Sequence, residues 1–167
     1  MSNKVLVIAP HPDDETLGCG GTILKHKANG DNVHWLIVTN YNKQNLAYNE
    51  RQLEIEKVAK LYSFDSLIKL NIETTTIDQV SITRLIDLIR TEINKIEPNI
   101  IYIPFLYDIH TDHQNVANAM LSFSKWFRYP FIKQINMYET ISETNFNFKN
   151  KQFNPNLFIN ISDYMEK

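Results

Sequence analysis

A single cysteine, Cys19, among 167 residues rules out an internal disulfide framework. Neither sign of charge dominates. Seventeen Lys and Arg against nineteen Asp and Glu leave a net charge of −2 with the five histidines neutral, and no Lys/Arg run stands out, so nucleic acid is not the expected partner. Long apolar runs are missing as well. The opening "MSNKVLVIAPHPDDE" holds too short an apolar run for a signal peptide, and no stretch is long enough to span a membrane. A cytoplasmic location is the default expectation, with a peripheral role at a membrane left open. Glycine is sparse, and three of the four glycines surround Cys19 in "GCGG". That cluster lacks the G-x-G-x-x-G spacing and lies well past a strand end, so it reads as close packing of a helix start and not as a nucleotide loop.

What is present is an alternation of apolar runs. The length suits one domain able to bury its own core, and residues 1–167 show no linker and no internal repeat. Val5 to Ala9 reads as a strand buried on both faces, ended by Pro10. Leu17 to Ala28 has helical spacing closed by Asn29-Gly30-Asp31, and "VHWLIVT" (Val33 to Thr39) follows as a second strand. Leu46 to Tyr62 predicts a helix with one buried stripe. Leu67 to Ile72 is a weaker strand, and Ile82 to Ile96 repeats the helical period until Pro98 stops it before the strand Asn99 to Pro104. A helix over Asp112 to Trp126, a strand over Gln134 to Thr140, an Asn/Lys/Phe-rich loop (Thr144 to Asn156) and a last strand (Leu157 to Ser162) complete the chain. This order predicts an α/β fold, a Rossmann-like three-layer sandwich with a mostly parallel sheet.

Ligands in such sheets bind outside the carboxyl ends of the strands, and two motifs fall there. "HPDDE" (His11 to Glu15) follows the first strand, and "HTDH" (His110 to His113) follows the strand ending at Pro104. Pro12 keeps His11 extended while Asp13 and Asp14 enter a turn and point different ways. His110 and His113 share one face of a first helical turn. Two neutral imidazoles and one carboxylate drawn from these segments make a facial set for Zn²⁺ or Fe²⁺ that leaves a position open. A remaining carboxylate would then act as general base, and a remaining histidine would stabilise an oxyanion. Each motif alone has a plainer reading: the acids as a helix cap, the histidines as solvated. Together, each supplies what the other lacks.

"APHPDDETLGCGGTI" with a downstream "HTDHQNV" resembles the PIG-L/LmbE family of metal-dependent N-deacetylases, which remove acetyl groups from N-acetylglucosamine-type sugars. "LIVTN" with Arg51 and Glu54, "MYET" and "PNLFINISDYMEK" extend the resemblance over most of the chain. The resemblance implies that His11, Asp14 and His113 bind zinc, with ferrous iron as the other suitable metal. It further implies that Asp13 is the general base, that His110 polarises the carbonyl and that Asp112 orients a histidine. The implied partner is an N-acetylated amino sugar or its conjugate. Alternatives are an amidase acting on a thiol-sugar conjugate and a catalytically idle sugar-binding or assembly domain. Asn40 stands where the family commonly has an acid or glycine. Family members usually continue past the position of Lys167 into another helix, so a deacetylase domain cut short at its C-terminus is the expectation, with self-association left open and sheet surface near Leu157 to Ile161 uncovered.

Other residues carry less. Arg51 could pair with an anionic substrate group through its planar fork, against the common role of a solvated helix residue. Tyr107, Trp126, Phe127 and Tyr129 could stack on a sugar ring, Tyr107 being the best placed, although core packing is the more frequent role. Cys19 reads as a small buried residue, and His26 and His34 as ordinary surface or edge residues.

Overall fold

The computed structural model describes residues 2–141, 143–146 and 151–165, so residues 147–150 of the expected Asn/Lys/Phe-rich loop lie outside the described residues. The apolar runs become strands β1 (Lys4–Ala9), β2 (Asn32–Asn40), β3 (Ser66–Glu73), β4 (Ile100–Pro104) and β5 (Gln134–Tyr138). Between them lie helices α1 (Asp14–Ala28), α2 (Tyr48–Leu61), α3 (Ile82–Ile96) and α4 (Thr111–Leu121). Each helix carries the chain back to the same end of the sheet. All four strand pairings are therefore parallel, in the order β3-β2-β1-β4-β5.

The period of two along β1 divides the core into two layers. Leu6 and Ile8 face Leu85, Ile89 and Ile93 of α3 and Val116 and Met120 of α4. Val5 and Val7 face Cys19 and Ile23 of α1, while Ala9 packs with Trp35, Ile37 and Ile55 of α2. Burying one such aliphatic side chain contributes about 1.5–3 kcal/mol. Helix α3 shows how local signals agree with packing: its apolar residues recur every fourth position, and Ser81 caps it by accepting from the Arg84 amide at 3.2 Å. Among the described residues no helix is long and apolar enough to cross a membrane.

Four expected elements or roles differ. Helix α1 begins at Asp14, three residues before the expected Leu17, and bends at non-helical Cys19. There Gly18 lets the backbone lie against the Tyr138 ring, where a Cβ would sit 2.2 Å from the ring's Cδ2. Helix α4 stops at Leu121 and not at Trp126, because the amides of Ser122, Phe123 and Ser124 close tighter turns and the Ser124 hydroxyl donates to the Leu121 carbonyl at 2.8 Å. No strand forms over Leu157 to Ser162. Ile159 instead joins the apolar cluster beside α1, Ile161 seats on Gly21, and the Lys25 ammonium donates to the Asn160 carbonyl, so that stretch docks by side chains on a helix and not by a ladder. His26 is no ordinary surface residue: its Nδ1 lies 2.7 Å from Asp31 Oδ2 and its Nε2 3.0 Å from the Tyr102 hydroxyl.

Strand order reverses beside β1, with β2 and β3 on one side and β4 and β5 on the other. The loops leaving β1 and β4 diverge around this point and open a crevice.

Candidate metal centre

Both chemical motifs start at that crevice. The Asp14 carboxylate turns back to accept from the His11 amide at 2.8 Å, which draws the start of α1 against the end of β1. From the β4 side, the first turn of α4 delivers His113, buried to 1% exposure. His11 Nδ1, His113 Nε2 and Asp14 Oδ2 then converge: 3.3 Å between the imidazole nitrogens, and 3.5 Å and 3.3 Å from them to the carboxylate oxygen.

The far nitrogen of each imidazole decides what this convergence means. His11 Nε2 lies 3.1 Å from Asp112 Oδ2, and His113 Nδ1 lies 3.1 Å from Asp108 Oδ2. When both rings are neutral and donate outward to these carboxylates, the inward nitrogens are bare acceptors facing a third acceptor, Asp14. Three lone pairs within 3.5 Å repel unless a proton or a cation sits among them. The donor set therefore fits a metal ion, and His11, Asp14 and His113 form a group that could hold one. A second set, His11, His110 and Asp112, also comes together, but its Asp112 oxygen is already engaged by His11 and by the Thr75 amide.

Electrostatics tell the same story in protons. Burial disfavours charged His11 and His113, yet hydrogen bonds to Asp112 and Asp14, and to Asp108 and Asp14, outweigh it and push their pKa values up to about 9 and about 10. Burial would raise Asp14, but its two imidazole partners hold it well below the usual carboxylate range. Asp13, immediately beside it, goes the other way: burial and the charge of Asp14 push it up. The adjacent aspartates thus occupy opposite environments.

Asp13 does not cap α1, as its side chain makes no capping bond; the Asp13 amide instead donates to buried Glu15 at 3.1 Å. Burial pushes Glu15 up to about 7. His110 does cap α4. Its Nδ1 accepts from the Asp112 amide at 3.1 Å, which leaves the ring proton on Nε2, while burial and the neighbouring His11 and His113 push its pKa down, so it is neutral near pH 7. Its ring lies 4.5 Å from that of His11 and 5.1 Å from that of His113, centroid to centroid.

A cavity of about 280 Å³ gathers His11, Asp13, Asp14, His110 and His113 with Arg51, Asn40, Tyr41, Thr140 and Glu143. Arg51 donates to the Pro12 carbonyl at 3.3 Å and to the Tyr41 hydroxyl at 3.4 Å, and pairs with Glu54 at 3.4 Å. Tyr107 is not among the lining residues; it sits edge-on to Phe105 with the Lys151 ammonium 5.6 Å from its ring, while Trp126 and Phe127 are exposed and Tyr129 packs on Phe123. Asn40 is bound to Gln52 and Asn71. Sequence reasoning missed Asp108, the buried acid that holds His113. Its signal was faint: a lone aspartate two residues before the second motif.

Parallel strands, a switch-point crevice and an imidazole–carboxylate cluster backed by outer carboxylates define a Rossmann-like protein with a candidate mononuclear metal site. The chain belongs to the PIG-L family, described as GlcNAc-PI de-N-acetylase, which matches residues 6–124. It is 29% identical over 181 residues to a diacetylchitobiose deacetylase of Thermococcus kodakarensis, covering 98% of this chain and 65% of that protein's length. The chain thus spans just under two thirds of that relative. Among solved structures it is similar to the N,N'-diacetylchitobiose deacetylase of Pyrococcus horikoshii, with TM-score 0.74, 26% identity, and 99% and 66% of the two chains covered. It also shares its fold with the conserved protein TT1542 of Thermus thermophilus, with TM-score 0.76, 23% identity, and 98% and 74% covered.

Proposed function

We propose that this chain is a metal-dependent amide hydrolase that removes the acetyl group from an N-acetylated amino sugar or its conjugate, with His11, Asp14 and His113 holding Zn²⁺ or Fe²⁺. The observation that carries the reading is the convergence of three acceptors within 3.5 Å on the wall of a cavity that Asp13 and His110 also line. The names of the two diacetylchitobiose deacetylases support the substrate class.

The metal, when bound, supplies Lewis acidity that makes water nucleophilic near neutral pH and polarises a carbonyl. The rest follows from the chain's own groups. Asp13, raised by burial and by Asp14, is a stronger base than a solvated carboxylate and takes a proton from the attacking water. His110, neutral with its proton on Nε2, donates to the acyl oxygen as charge builds there. Asp13 then returns the proton to the departing amine, so amide and water become free amine and acetic acid, which ionises to acetate. Asp112 and Asp108 keep His11 and His113 in the tautomers that face the metal. Arg51, on the same wall, meets an anionic group of the conjugate.

The test is acetate release from free, nucleotide-linked and lipid-linked N-acetylglucosamine by protein stripped of metal and reloaded with Zn²⁺ or Fe²⁺. Metal-dependent release from at least one of them is expected. No release from any by protein carrying stoichiometric metal overturns the reading.

A further inference from the structure

Of the acids in "HPDDE", Glu15 has no place in the metal cluster, is buried to 1% exposure and is not among the residues lining the cavity that holds the cluster. Burying a carboxylate beside two other acids costs free energy unless its oxygens find donors. Both oxygens do. Oε2 accepts from the Asp13 amide at 3.1 Å, and Oε1 accepts from the Thr16 hydroxyl at 2.7 Å. Glu15 is thus held at both oxygens, and one of its bonds goes to the backbone of Asp13.

That backbone needs the support. Asp13 has φ 157° and ψ −25°, outside the helical and extended ranges that residues other than glycine favour, and such conformations persist only where the surroundings over-determine them. Two acceptors share its amide, the Glu15 carboxylate and the His11 carbonyl, each at 3.1 Å, while its carbonyl accepts from the amides of Thr16 and Leu17 at 3.0 Å and 2.9 Å. The Asp13 side chain makes no capping bond of its own, so the direction of its carboxylate follows from the backbone that carries it. We infer that Glu15 is a positioning residue: its carboxylate holds the Asp13 amide and thereby aims the Asp13 carboxylate at the attacking water, without touching water or substrate itself. This rests on the hydrolase reading and deepens it. The plainer role, an acid in the first turn of α1 favoured by the helix dipole, needs the charge of Glu15 and not this bond.

The experiment separates bond from charge with three variants. Glu15→Gln keeps an oxygen for the Asp13 amide, lets its nitrogen donate to the Thr16 hydroxyl, and loses the charge; Glu15→Asp keeps the charge but falls a methylene short of the amide; Glu15→Met loses both. Each is loaded with Zn²⁺ and compared with native protein in metal content, thermal melting and acetate release from N-acetylated sugars. Glu15→Asp and Glu15→Met are expected to keep stoichiometric metal and lose roughly 10- to 100-fold in kcat with KM nearly unchanged, the cost of a misdirected group. Glu15→Gln stays within a few-fold of native. In an Asp13→Asn background Glu15→Met costs nothing further, since a group that acts only through Asp13 has nothing left to aim. The aspartate and glutamine variants decide the matter even where methionine prevents folding. Native rates in Glu15→Asp beside a loss in Glu15→Gln, metal loss that matches the loss of rate, or a full further loss in the Asp13→Asn background overturns the inference. The two readings fail separately. Native protein with stoichiometric metal that releases no acetate refutes the hydrolase, and native protein that releases acetate at a rate matched by Glu15→Asp and Glu15→Met refutes the role of Glu15.

Discussion

The sheet carries a histidine–carboxylate cluster at each end, and they are built to opposite plans. At the amino ends of the strands, His26 uses both ring nitrogens on different partners, Asp31 at 2.7 Å and the Tyr102 hydroxyl at 3.0 Å, and Asp31 also accepts from the Asn3 amide at 2.7 Å. Donors and acceptors are matched there, and nothing further is needed. At the carboxyl ends, His11 and His113 each use one nitrogen on an outer carboxylate and turn the other toward a shared point with Asp14. A histidine beside an acid is thus no sign of a ligand site by itself. What marks the site is the direction of the second nitrogen: outward into a finished bond, or inward against other acceptors.

The contrast breaks most sharply at the adjacent aspartates. Asp13→Asn is expected to keep its metal and lose at least ~10²-fold in turnover, because an amide cannot take the proton from water. Asp14→Asn is expected to lose metal first, with activity partly recovered by excess zinc. Elemental analysis beside acetate release separates them, and identical behaviour of the two variants would dissolve the division between base and ligand.

Asp108→Asn sharpens the comparison from the outer layer. If the carboxylate fixes the inward-facing tautomer of His113, its loss weakens metal affinity by about 10- to 100-fold while the fold is kept. Competition against a chelator measures this directly; an unchanged affinity would leave Asp108 a packing partner only.

Protons offer a third route. His11 and His113 are raised to about 9 and about 10 in the metal-free protein, so protonation of these rings stabilises the fold fully below about pH 6.5, the ordinary histidine value, and this stabilisation is lost as pH rises through 9 to 10. The melting temperature of stripped protein should fall between pH 6.5 and pH 10, and added metal, which replaces those protons, should flatten the fall. A stripped protein whose midpoint rises over that range would contradict the convergence.

The smallest effect belongs to the closed cluster. His26→Ala leaves Asp31 and the Tyr102 hydroxyl short of a partner and should lower stability by about 1–3 kcal/mol, read as a lower denaturation midpoint. Metal content per folded molecule should not change. Loss of metal in this variant would mean that the two ends of the sheet are coupled.

Much of this was legible in one dimension. The period of four in Leu85, Ile89 and Ile93 and the β-branched run of β1 specify helix and strand through burial that any neighbour would supply, and both match the structure closely. The stretch Leu157 to Ser162 has the same apolar character, yet a strand needs an edge to pair with, and apolarity alone does not say whether that stretch meets a sheet or a helix. The site divides the same way. The motif containing Asp13 and Asp14 and the one containing His110 and His113 stand out because titratable residues crowd the ends of apolar runs. Asp108 does not stand out, since a lone aspartate in a loop is common everywhere.

Residue types and their spacing determined by themselves the alternation of parallel strands and helices, and the presence of two segments rich in histidine and aspartate at strand ends, because hydrophobic period and local backbone preference act over a few neighbours. Only the tertiary structure decided which nitrogen of each imidazole faces inward and that Asp108 backs His113 from behind. Those choices are settled by hydrogen bonds spanning from a few residues to more than a hundred along the chain, such as that between His11 and Asp112, and they come into being only when β1 and β4 lie side by side.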